Sequence, residues 1–141
     1  MINKINVNWK RIVLLILFCI SIFSVQASSW YTATHYTSRT LNSYGNWTSW
    51  SKWEYQNPNI NIFVDTDNDR ITIYSRKTQV YQVVSDGHKY YDNQNHLTIK
   101  WTVIDQDLDR GSVRVVNNDG ELQMYVDFAN IQWGYALKTN N

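Results

Sequence analysis

The sequence predicts an all-β domain, an antiparallel meander of about eight or nine strands that closes as a small barrel or packs as a sandwich. Three observations predict it. Apolar and polar residues alternate along most of the chain. Short polar clusters interrupt the alternation. No window after residue 27 sustains a helical period. Only the N-terminal segment reads as a helix, and it reads as a signal.

That segment begins MINKINVNWKR, with Lys4, Lys10 and Arg11 and no acid. An apolar run follows from Ile12 to Val25, then Val25-Gln26-Ala27 before Ser28. A basic start, a short greasy stretch and small residues at Val25 and Ala27 form a secretory signal cut after Ala27. The run is shorter than the ~20 apolar residues that span a bilayer, so retention as an anchor is the lesser alternative. Cys19 lies inside the run behind Leu17-Phe18, which does not suit a lipidated cysteine. Cleavage leaves residues 28–141 as a single all-β domain with no stable membrane span.

The stretch from Ser28 to Asn46 alternates through Trp30, Thr32, Thr34 and Tyr36 and is a first strand or a loose arm. Next, NINIFV aligns Ile60, Ile62 and Val64, and ITIYS aligns Ile71 and Ile73. LTIKWTV sets Leu97, Ile99, Trp101 and Val103 against Thr98, Lys100 and Thr102. SVRVV aligns Val113 and Val115, and ELQMYVDF sets Leu122, Met124, Val126 and Phe128 against Gln123, Tyr125 and Asp127. A strand with one buried face needs this period of two, and β-branched and aromatic residues suit its pleated surface. Asn57-Pro58-Asn59 breaks the chain, and Asp67-Asn68-Asp69, Asp86-Gly87, Asp92 to Asn95 and Asn118-Asp119-Gly120 mark turns. Asp-Gly between alternating runs is a hairpin signal, so sequential strands are expected to pair.

Composition excludes several function classes. The only cysteine leaves with the signal, so the mature domain has no disulfide and no thiolate metal site. Losing three basic residues takes the net charge from +1 to −2. No concentrated basic footprint marks a nucleic-acid partner. His35, His88 and His96 form no metal-spaced pair, no zinc motif exists, and no serine sits in a Gly-x-Ser-x-Gly elbow. No cofactor is implied. Asp127, between Val126 and Phe128, is the carboxylate nearest an apolar run, but alternation places it on the polar face. Asn46-Trp47-Thr48 is a formal glycosylation sequon, relevant only in a eukaryotic secretory route.

WTSWSKW, Trp47 to Trp53, holds three tryptophans three residues apart. The spacing resembles the W-x-x-W-x-x-W signature of thrombospondin type 1 repeats, where tryptophans interleave with arginines of the next strand. That family relies on about six cysteines for its thin body, and the mature chain has none, so the family is rejected. The local physics carries over, because an indole face attracts a guanidinium placed over it. If residues 46–55 form a strand, Trp47, Trp53 and Tyr55 share one face and Trp50 the other. Either Trp50 is exposed, or it anchors the core while Trp47, Trp53 and Tyr55 form an exposed aromatic row. Such a row holds sugar rings. The competing reading is that all of them serve core and cross-strand packing.

Asp65, Asp67 and Asp69, and likewise Asp105, Asp107 and Asp109, alternate through turns as calcium candidates. An EF-hand is excluded, since Arg70 and Arg110 stand at the sixth position, where the loop needs glycine. Asp at strand ends also caps its own turn. In the C-terminal half, DRITIYSRKTQVYQVV (Asp69 to Val84), TIKWTVIDQD (Thr98 to Asp107) and ELQMYVDFANIQWGYAL (Glu121 to Leu137) are similar to small secreted bacterial all-β proteins that are uncharacterised. The resemblance implies a fold and a compartment but no activity.

The expectation is an exported or cell-surface, non-enzymatic β-domain. It is expected to bind a carbohydrate or partner protein through Trp47, Trp50, Trp53 and Tyr55. The alternative is a structural subunit that pairs through a sheet edge. An enzyme comes third.

Overall fold

The computed structural model describes residues 28–85 and 87–138. The expected signal, residues 1–27, lies outside them, as does Asp86. The strands are β1 (Ser29–Thr40), β2 (Glu54–Asp65), β3 (Arg70–Tyr74), β4 (Gln79–Val83), β5 (His88–Tyr91), β6 (Leu97–Ile104), β7 (Arg110–Asn118), β8 (Glu121–Asp127) and β9 (Ile131–Leu137). Every pairing is antiparallel. Neighbours run β4-β3-β2-β1-β9-β8-β7-β6-β5, and a further pairing of β4 with β6 closes an eight-stranded barrel that leaves β5 outside. Among the described residues no helix is long and apolar enough to cross a membrane.

The alternation read from the sequence becomes the barrel interior. Ile60, Ile62, Val64, Ile71, Ile73, Trp101, Val103, Val113, Val115, Met124 and Val126 are all buried in one cluster with Tyr81, Tyr135 and Leu137. A barrel of eight strands has an interior that side chains alone can fill. Leu97 is the exception to its run. It sits at the start of β6 and is exposed.

The turns divide into those that behave as expected and one that does not. Asp119 and Gly120 both have positive φ, 51° and 94°, between the paired Asn118 and Glu121. That is the mirror-image geometry a two-residue hairpin needs. Gly87 belongs to no hairpin. Both β4 and β5 pair with β6 rather than with each other. What requires glycine there is Trp101, whose Nε1 would lie 2.8 Å from an added Cβ.

Two further differences come from bulges. The β1–β2 register jumps from Ala33↔Ile60 to His35↔Tyr55. Asn57-Pro58, a cis peptide, lies in the longer arm of that jump, so the chain bulges there instead of ending a strand. On β1 the same bulge switches faces. Trp30 points outward onto Phe63, whereas Tyr36 packs inward on Tyr135. Simple alternation puts Trp30 and Tyr36 together, and a one-residue slip separates them.

Candidate functional site: a tryptophan–arginine stack on the outer wall

The tryptophan segment is not a strand. Only Glu54 and Tyr55 of residues 46–55 belong to β2, and Leu41↔Trp47 is an isolated bridge. The chain leaves β1 through a tight turn in which Asn42 Oδ1 accepts the amides of Tyr44 and Asn46, each at 3.0 Å. Gly45 takes φ 78° there. The segment then returns along β1. Thr48 N donates to Thr40 O at 2.9 Å and Ser51 N to Ser38 O at 2.8 Å. The buried Thr37 hydroxyl donates to Ser51 O at 2.7 Å. Serine and threonine between the tryptophans therefore have a role of their own, stitching an irregular segment to the wall.

The rings lie outside the barrel and reach over β1, β9 and β8. The Arg39 guanidinium sits 5.1 Å from the Trp47 ring centre and 4.6 Å from that of Trp50. Its Nε donates to Gln132 Oε1 at 2.5 Å, which fixes its plane. Trp50 meets Tyr125 edge-on at 5.6 Å, and Arg114 covers Tyr125 at 4.3 Å. Arg114 Nε in turn donates to Asp127 Oδ2 at 2.7 Å. Trp47, Arg39, Trp50, Tyr125 and Arg114 thus form one continuous row, each guanidinium facing the negative face of a ring and the two central rings meeting edge-on. Trp47 and Trp50 touch the same arginine, which strict strand alternation forbids.

Gly134 makes room for the stack. A Cβ there would come within 2.9 Å of Thr37 Cγ2, 3.1 Å of Tyr125 Cε1 and 3.3 Å of Trp53 Cη2. The missing side chain is the seat of the Trp53 ring. Trp50 is the most covered of the three tryptophans, but it anchors the outer wall and not the core. Trp47, Trp53 and Tyr55 keep 36%, 41% and 67% of their surface in water. Tyr55 meets His35 edge-on at 5.5 Å.

Electrostatics follow from this packing. Desolvation raises the Tyr125 hydroxyl above its ordinary pKa, opposed by Arg114. Asp127 is on the outer face as alternation places it, with Oδ2 on Arg114 and Oδ1 buried without a partner among the described residues.

The calcium candidates are used locally. Asp65 Oδ2 accepts from the Asn68 side chain at 2.8 Å, and Oδ1 accepts the Asn68 amide at 3.2 Å. The side-chain bond from Asn68 lowers the Asp65 pKa most. Asp105 Oδ1 accepts the amides of Asp107 and Asp109, each at 2.9 Å. Asp67, Asp69, Asp107 and Asp109 are exposed turn residues. Among the described residues no three acids or histidines are placed to hold a metal ion.

Sequence reasoning missed the partners of the tryptophans: Arg39, Tyr125, Arg114, Gln132 and Gly134. Arg39 was within reach, since a hairpin turning at Asn42–Gly45 sets it beside Trp47. The others sit on β7, β8 and β9, distant in the chain. A second outer-wall aromatic group, Trp30 on Phe63 at 4.4 Å and on Tyr74 at 6.0 Å, was also missed. Compared with protein-family models, with curated proteins and with solved structures, the chain has no match in any of the three.

Proposed function

We propose that the protein is a non-enzymatic, exported β-barrel domain that binds carbohydrate on its outer wall, with Trp47, Trp53 and Tyr55 as the platform and Trp50 as its anchor. One observation carries the reading. Trp47, Trp53 and Tyr55 stay substantially exposed, while Arg39 lies over Trp47, Gly134 seats Trp53, His35 meets Tyr55 and backbone bonds tie the segment to β1. Rings already ordered lose little freedom when a ligand settles on them, which favours binding. Export rests on the apolar run from Ile12 to Val25 and the small residues before Ser28. A partner protein could use the same rings, and the test separates the two. The protein is titrated with oligosaccharides from a glycan panel, and binding is followed by tryptophan fluorescence. Removing the Tyr55 or Trp53 ring is expected to weaken binding about tenfold, the loss of roughly 1–1.5 kcal/mol of ring contact. Absence of any glycan response, or a response indifferent to both changes, sinks the reading.

Assembly through a strand edge is the second reading, and β5 supports it. Among the described residues this four-residue strand pairs with β6 alone, and it lies outside the closed barrel. An elution volume that shifts with concentration, and stops shifting when proline replaces Tyr90, would favour it.

A further inference from the structure

The barrel has an open mouth where the 75–78 and 105–109 connections meet β9. The mouth encloses about 270 Å³ and is walled by Trp133, Tyr81, Gln79, Lys77, Asp105 and Asp107. We infer that this mouth is a second ligand site, for a single neutral sugar ring, separate from the outer-wall face and independent of the reading given to it.

The lining decides the ligand class. The volume lies just below the roughly 300–1,000 Å³ of ordinary small-molecule sites, which suits a single ring. Trp133 and Tyr81 supply flat apolar wall, backed by Phe128 at 6.1 Å and 5.9 Å. The polar floor is fixed in place. Tyr81 Oη donates to Gln79 Oε1, and Gln79 Nε2 donates to Ser75 Oγ at 3.3 Å and Tyr135 Oη at 3.4 Å. The rim carries both signs. Lys77 forms no ion pair among the described residues. The Asp105 carboxylate is oriented at the rim by the two turn amides on its Oδ1.

An anion entering this mouth meets Asp105 and Asp107. A cation meets Lys77. A purely apolar ligand strips water from all three charges without replacing it, which is costly. A polyol avoids each penalty. Its hydroxyls donate to carboxylates and accept from an ammonium at once, while its C–H face lies on Trp133. Barrel mouths are a common place for such sites.

The test is titration of the full protein with D-glucose, D-galactose, D-mannose and N-acetyl-D-glucosamine, with L-alanine and phosphate as charged controls. The Trp133 indole N–H is followed by NMR. At least one sugar is expected to give a saturable shift of that signal. Asp107→Asn with Lys77→Met, two exposed rim residues, is expected to weaken the response at least tenfold. Trp53→Phe and Tyr55→Phe on the outer wall are expected to leave it unchanged. The inference is overturned if no sugar shifts the Trp133 signal. It is also overturned if the rim variant binds as well as the native protein, or if L-alanine or phosphate saturates the site and sugars do not. A sugar response that follows the outer-wall variants instead overturns the mouth and supports the wall, so the two sites fail separately.

Discussion

Strand β9 presents two kinds of aromatic packing on its two faces. Inward, Tyr135 is 1% exposed among Ile62, Met124 and Val126, with its hydroxyl on Gln79. Outward, Trp53 lies on Gly134 and keeps 41% of its surface in water. The inner ring is held by exclusion of water, which scales with area. The outer rings are held by cations above their faces and by backbone bonds beneath them. Interior aromatics therefore stabilise the fold, while the outer ones chiefly fix a shape.

The largest break in that comparison should come from the inside. Ile62→Ala removes fully buried methyls from the centre of the barrel and should cost about 3 kcal/mol, read from urea unfolding. Alkaline pH comes next. Burial raises the Tyr81 and Tyr135 hydroxyls well above their ordinary value near 10. A raised pKa means the folded state binds the proton more tightly, so this stability is whole below pH 10 and is lost as pH rises beyond it. At pH 11 the two together should cost about 2–3 kcal/mol. Absorbance at 295 nm should show their ionisation only when the protein unfolds. Early, non-cooperative titration of all ten tyrosines would show the interior to be wet.

The outer wall should respond less to mutation and differently to probes. Gly134→Ala presses a methyl into Thr37, Tyr125 and Trp53 and should cost about 1–2 kcal/mol, with Trp53 lifted into solvent. Arg39→Met removes the cation from both indoles and should cost about 1 kcal/mol. Both changes should increase acrylamide quenching of tryptophan fluorescence while costing less stability than Ile62→Ala. If Arg39→Met instead destabilises as much as Ile62→Ala, the stack belongs to the core in energy if not in position.

Much of the interior was legible in the sequence. Ile60, Ile62, Ile71, Ile73, Val113, Val115, Met124 and Val126 were assigned their faces by a period of two, which is a property of the backbone alone. Asp119-Gly120 was legible for the same reason, since the left-handed region it needs is set by local sterics. Asp86-Gly87 misled, because whether two strands pair depends on which edge β6 offers. Trp30 and Tyr36 misled, because the β1 bulge between Ala33 and His35 that separates them is defined by its pairing with both β2 and β9.

The candidate site was legible in its residues and not in its geometry. Trp47, Trp50 and Trp53 announced themselves by spacing, and the pull of an indole face on a guanidinium could be stated in advance. Their arrangement could not. Alternation applies only while a ladder forces it, and this segment touches β1 at scattered bonds. The sequence by itself determined the all-β class, the inward faces and the turn chemistry, since these depend on neighbours within a few residues. Tertiary structure alone decided closure through β4 and β6, the seat of Trp53 on Gly134, the bond between Arg39 and Gln132, and the mouth beside Trp133. Each of these joins residues far apart in the chain, and only the stagger of the closed barrel brings them within reach.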